Sequence, residues 1–139
     1  MKKLIFLTST AIVMLFFMQC QSSIINGLVR ELNKQFPVSS NGIIIKKAEA
    51  IDGNIIKLHC TLEGDIFAQM DSATWHQFSP MMKQNLIISL QNQSDICQTL
   101  TKIKATVLYE FKTASGQVVL EIKITPEDLL QKKRLNGQK

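Results

Sequence analysis

The natural starting points for metal, acid–base or nucleophilic chemistry are His59, His76, Cys20, Cys60 and Cys97, since the 11 carboxylates are scattered and no two make a distinctive acid–base pair. A zinc site or a histidine base needs further ligands or an orienting carboxylate, commonly one helical turn away. There is no HExxH stretch, His59 falls on the polar face of an alternating strand, and His76 has no carboxylate at helical spacing, so both read as surface histidines. A cysteine nucleophile needs a cationic neighbour to stabilise its thiolate. Cys60 falls on the apolar side of an alternating stretch, and nothing beside Cys97 is cationic. Serine chemistry lacks a GxSxG elbow, and phosphate binding lacks a GxxxxGKS, GxxxxGKT or GxGxxG loop. The chain therefore offers no catalytic residue, no metal site and no cofactor to assign.

One cluster points to recognition instead. Trp75, Phe78, Met81 and Met82 combine aromatic and methionine side chains, which suits an adaptable apolar binding surface. The competing reading is plain core packing of a helix on a sheet. If the helices leave a gap over the sheet, these residues would line a hydrophobic groove.

The N-terminal segment sets the address. Met1-Lys2-Lys3 is a short positive start, and Leu4 to Met18 is an apolar stretch interrupted only by Thr8, Ser9 and Thr10. A membrane-spanning helix needs roughly 20 apolar residues, so the run has the length of a signal core and residues 1–22 read as an export signal. Two routes of processing stay open. Cys20 is placed for lipidation and Gln21-Ser22-Ser23 would tether it, although Gln19 stands where a small residue is usual. Ordinary cleavage after Ser22 would put Cys20 and Ser22 at positions −3 and −1. An uncleaved anchor is the third option.

The formal charge of +5 is concentrated at the ends. Six of the 16 basic residues are Lys2, Lys3, Lys132, Lys133, Arg134 and Lys139, leaving ten against 11 acidic residues in the body. No basic face is evident, which removes the main support for a nucleic-acid partner. The basic tail can touch anionic lipid, or simply complement the dipole of a last helical turn. Cys60 and Cys97 lie beyond the signal, and in an oxidising compartment they form a candidate disulfide worth about 3–4 kcal/mol. Two separately buried thiols are the alternative.

Residues 23–139 read as a single α+β domain. Ile24, Ile25, Leu28, Val29, Leu32 and Phe36 share one face of a first helix, which Pro37 stops. Ser39 to Gly42 is a turn. Ile43-Ile44-Ile45 opens a strand, Asp52-Gly53-Asn54 signals a hairpin, and Ile56, Leu58, Cys60 and Leu62 alternate with Lys57, His59 and Thr61. Residues 71–101 read as helical, with Ser79 capping a helix that opens at Pro80 and Ser94-Asp95 capping a second. A second hairpin follows: Ile103, Ala105, Val107, Tyr109 and Phe111 alternate with Lys104, Thr106, Leu108, Glu110 and Lys112. After a turn at Ala114-Ser115-Gly116, Val118, Leu120, Ile122 and Ile124 alternate with Gln117, Val119, Glu121 and Lys123. Thr125-Pro126-Glu127-Asp128 then opens a terminal helix. The expected fold is a mainly antiparallel sheet of about four strands in two hairpins, order α-ββ-αα-ββ-α, with helices on one face.

Leu32-Asn33-Lys34-Gln35-Phe36-Pro37-Val38 before a turn and strand resembles the opening of a group of small uncharacterised bacterial exported proteins. Asp95-Ile96-Cys97, Leu108-Tyr109-Glu110-Phe111, Gly116-Gln117 and Ile124-Thr125-Pro126-Glu127-Asp128-Leu129 are similar to their C-terminal half. Where some of that group carry a further cysteine, this chain has Phe36 and Leu129. The resemblance implies a periplasmic or envelope domain of unknown function and transfers no functional residue. The expectation is a non-enzymatic envelope protein that binds a protein partner or an apolar ligand, reaching the membrane through a lipid on Cys20 if that residue is acylated. Its alternatives are an inhibitor or immunity-type protein acting on an envelope enzyme, and a small hydrolase or redox enzyme built on His59, His76, Cys60 or Cys97.

Overall fold

The computed structural model describes the backbone of residues 23–40, 42–52 and 54–137 and the side chains up to residue 131. The signal segment with Cys20, and the side chains of the basic tail, lie outside the described residues. The elements run α1 (23–35), β1 (Val38–Ser40), β2 (Ile43–Ile51), β3 (Ile55–Leu62), α2 (Asp65–Gln69), α3 (Ser72–Asn92), α4 (Ser94–Lys102), β4 (Thr106–Thr113), β5 (Val118–Ile124) and α5 (Pro126–Gly137). The α+β class holds. The sheet, however, has five strands in the order β1-β2-β3-β4-β5, and it is mixed.

Both expected hairpins form, β2 with β3 and β4 with β5. They meet through their inner strands, so β3 and β4 pair in parallel from Ile55↔Thr106 to Leu62↔Thr113. The other three pairings are antiparallel, as expected; the parallel one departs from that expectation because alternation within each hairpin cannot show which strands meet between hairpins. β1 is too short for any periodicity to reveal; it pairs with Ile43, Ile44 and Ile45 where a turn was expected. Gly42 makes that corner with φ of +81°, and a Cβ there would lie 3.3 Å from the Glu63 carbonyl, a position that favours glycine.

A parallel pair needs a long crossover, and residues 63–105 supply it as α2, α3 and α4. The first residue of α3 is not the one the sequence suggested. Asp71 is the N-cap, accepting from the Thr74 backbone N–H at 2.8 Å, and Pro80 sits inside the helix. Proline removes one backbone bond, but Trp75, one turn before it, is buried against Phe67 and draws the earlier turns into the helix. The α5 start is as expected: Thr125 and Asp128 exchange backbone-to-side-chain hydrogen bonds at 3.0 and 3.2 Å.

The core lies between the sheet and the helices. Ile56, Leu58, Cys60 and Leu62 of β3 are buried beside Val107, Tyr109 and Phe111 of β4 and Ile122 and Ile124 of β5. Ile25 of α1, Ile87 and Leu90 of α3, Leu100 of α4 and Leu129 of α5 close over them. Among the described residues the buried ones run from Ile25 to Leu129, so the chain from residue 23 brings a core of its own.

One side chain fastens α1 to this core. β1 reaches only Ile45, which leaves the next part of β2 as an edge. There Asn33 of α1 donates from Nδ2 to the Ala48 carbonyl at 3.0 Å and accepts the Ala48 N–H on Oδ1 at 2.7 Å. The side-chain amide replaces a strand residue. Asn33→Ala would orphan both groups of buried Ala48, costing more than the small gain in helix propensity returns. We expect a net loss of about 2 kcal/mol in urea unfolding; an unchanged midpoint would show that α1 is held by its apolar face alone.

Candidate functional site

α1 does not meet α3 and α4 over the sheet. Between them runs a groove of about 240 Å³ whose floor is Ile45, Ile56, Leu58, Val107 and Tyr109. Leu28, Leu32 and Phe36 form one wall, and Leu86, Leu90, Ile96 and Leu100 the other. Leu28, Leu32, Phe36, Ile45, Leu86 and Ile96 are only half-buried, because the face each turns to the groove has no partner within the described chain. The polar members Gln35, Ser89 and Gln93 are exposed and stand at the mouth. An apolar trough with a polar rim can take the apolar face of a helix or an extended peptide. Its lining residues include no Cys, no His and no charged side chain.

The cluster singled out from the sequence divides. Trp75 is 4% exposed and in the core, and Met82 packs against it. Phe78 and Met81, 41% and 55% exposed, lie on the outside of α3. None of the four lines the groove, which uses the C-terminal half of α3 instead. The groove between helices and sheet is lined by other residues than these four. Helical periodicity showed that α1 and α3 each had an apolar face, but not how far apart they would stand.

Cys60 and Cys97 are free thiols. Cys60 is on the inner face of β3, and burial pushes its thiol up to about 12, which keeps it protonated and unreactive. Cys97 is half-buried in α4. His76 is exposed on α3, while His59 lies on the far side of the sheet from the core. No hydrogen bond joins any two of these four, and among the described residues no group of three or more His, Cys, Asp or Glu side chains could hold a metal ion.

The face of the sheet without helices carries a charge network that sequence reading missed. Glu110 points outward from β4 yet is only 6% exposed. Lys57 Nζ lies 2.7 Å from its Oε2, Lys112 Nζ 3.3 Å from Oε1, and His59 Nδ1 3.5 Å from Oε1. His59 Nε2 continues the chain to Glu49 at 2.9 Å. Three adjacent strands supply these groups, so only the parallel β3–β4 register, His59↔Glu110, could have revealed them. The Lys57 hydrogen bond, with Lys112 adding to it, holds the Glu110 carboxyl below its ordinary 4.5 against the opposing effect of burial.

No family model matches the chain, and no curated protein matches it in sequence. Solved structures do match. The pilotin of the Vibrio vulnificus type 2 secretion system superposes with a TM-score of 0.61 over 80% of this chain and 93% of its own, at 9% identity. The type II secretion system pilotin of Vibrio cholerae gives 0.63 over 83% and 97%, at 15% identity. This is a fold that type II secretion pilotins have. A Pseudomonas aeruginosa protein assigned as secreted has it too, with a TM-score of 0.63 over 78% and 92% at 14% identity. The resemblance to small exported bacterial proteins is thereby narrowed to one architecture, and the likeness is one of fold.

The lowered Glu110 carboxyl makes a pH prediction. A group whose folded value lies below its unfolded 4.5 contributes stability that is present above that pH and lost as pH falls through the folded value. Glu110→Gln should therefore flatten the fall in unfolding free energy below about pH 4.5. Asp71 and Asp128, also lowered, leave part of the slope in place. An identical pH profile for the variant would remove Glu110 from the acid sensitivity.

Proposed function

We propose that this chain is an exported envelope protein without enzymatic activity, which grips an apolar segment of a protein partner in its groove and serves a secretion apparatus in the manner of a pilotin. The groove carries the reading. It is a gap between two helical walls, lined by aliphatic and aromatic side chains and rimmed by uncharged polar ones. Closing it on a partner would remove from water the half-exposed faces of six apolar side chains, each worth on the order of 1 kcal/mol at partial burial. An amphipathic helix, with apolar residues at i, i+3, i+4 and i+7, is the segment that best fits a trough of this form. The pilotin fold of two solved neighbours supports a secretion-system subunit as the source of that helix.

The N-terminal segment completes the proposal. Residues 1–22 direct export, and Cys20 is the acylation site. Only Gln21 and Ser22 separate it from helical residue 23, so a lipid there would hold α1 and the groove close to the bilayer. Among the described residues no helix is long and apolar enough to cross a membrane.

Two measurements check this. Tagged wild-type protein, crosslinked in the envelope, should retain a subunit of a secretion apparatus. Leu86→Glu, which sets a carboxylate in the groove wall, should weaken that retention at least tenfold while keeping the wild-type circular dichroism spectrum. Equal capture by the wild type and by both Leu86→Glu and Leu32→Glu would sink the groove as the contact. The intact mass of the processed protein should correspond to a chain starting at acylated Cys20; a bare chain starting at Ser23 would exclude the anchor and leave the groove reading standing.

A further inference from the structure

A further concavity lies on the opposite face of the sheet. Between Ile45 and Lys47 the β2–β3 register shifts by one residue, a β-bulge. Successive residues of a regular strand point to opposite faces. Here the extra residue lets two consecutive lysines, Lys46 and Lys47, line one and the same pocket of about 330 Å³. Lys112 of β4 lines it from the other side, with His59 and Thr61 of β3 between, and the chain at Gly116 closes one end.

No acidic side chain lines this pocket, although the folded body as a whole has slightly more acidic than basic residues. Lys112 is already held by Glu110 at 3.3 Å, but Lys46 and Lys47 make no ion pair among the described residues and are exposed. β3 separates β2 from β4, so Lys46 and Lys47 on one side and Lys112 on the other face the same concavity and together present positive charge to anything held in it. Bulges tend to occur where a strand must re-aim a side chain towards a site.

We propose that this pocket is a phosphoryl-binding site, with the Lys46, Lys47 and Lys112 ammonium groups neutralising the oxyanion and the Thr61 hydroxyl donating to it. The phosphoryl group belongs either to the headgroup of an anionic lipid or to a free phosphate. The site is independent of the groove. Being on the other side of the sheet, it leaves the groove open when occupied.

The test uses the chain from residue 23, which holds its own core and has no lipid of its own. One arm measures co-sedimentation with vesicles of phosphatidylglycerol in phosphatidylcholine, against phosphatidylcholine alone. The other follows backbone amide shifts of Thr61, Thr113 and Ala114 during titration with inorganic phosphate. Binding in the vesicle arm alone identifies a lipid headgroup, and saturable shifts with phosphate identify the free anion. In either case Lys46→Gln with Lys47→Gln should weaken binding about 30-fold, roughly fivefold for each lysine near a charged surface. Lys46→Arg with Lys47→Arg should retain it. Both lysines are exposed, so an unchanged melting curve is expected throughout. No binding in either arm, or binding that the glutamine pair leaves unaltered, would overturn the proposal.

Discussion

The parallel pairing of β3 with β4 obliges the chain to leave one end of the sheet and return to the other before it can resume pairing. Forty-three residues make that journey, and they make it across one face. That crossover decides where α3 and α4 lie. It also leaves β2 and β3 partly uncovered on the side where α1 must serve, so the core is closed by two separate helical groups. The groove is the space between them. Had the hairpins met in an antiparallel manner, a short turn could have joined them and no helical layer would be required between β3 and β4.

The two faces of the sheet solve different problems with the same strands. The inner face is apolar and is satisfied by packing, with Phe111, Ile56, Leu62 and Ile124 almost fully buried. Among the described residues no helix covers the outer face, which carries Glu110 at its centre, held by Lys57 and His59 of β3 and by Lys112 of its own strand, with Glu121 opposite it on β5. Desolvating a carboxylate is costly unless several donors reach it, and Lys57, Lys112 and His59 all do. The bulge after Ile45 keeps these two faces distinct along β2. It shifts the inward positions from Ile43 and Ile45 to Ala48 and Ala50, opposite Leu58 and Ile56, and keeps Lys47 and Glu49 out of the core.

The chemistry-bearing residues play structural parts. Cys60 fills the core as a protonated thiol, and His59 links two carboxylates across strands. What the described surface offers to a partner is shape and charge: an apolar trough on one side and a lysine-lined pocket on the other. The fold is one that two type II secretion pilotins have.

The sequence by itself determined the local elements and their faces. The inward sets of β3 and of both strands of the second hairpin, the apolar stripe of α1, the turn at Gly116 and the Thr125–Asp128 cap were all legible, because each depends on residues within one or two turns of each other. The α3 start was misread at Ser79-Pro80, since the burial of Trp75 outweighed a local signal. Lys104 adopts a φ of +55° in the link to β4, where alternation had suggested continuous strand from Ile103. Only the tertiary structure decided the parallel contact of the hairpins, the Asn33 bridge to Ala48, the Glu110 network and the groove. Each joins residues far apart in the chain, and the free energy that selects them comes from burying whole faces together, which no stretch of sequence carries alone.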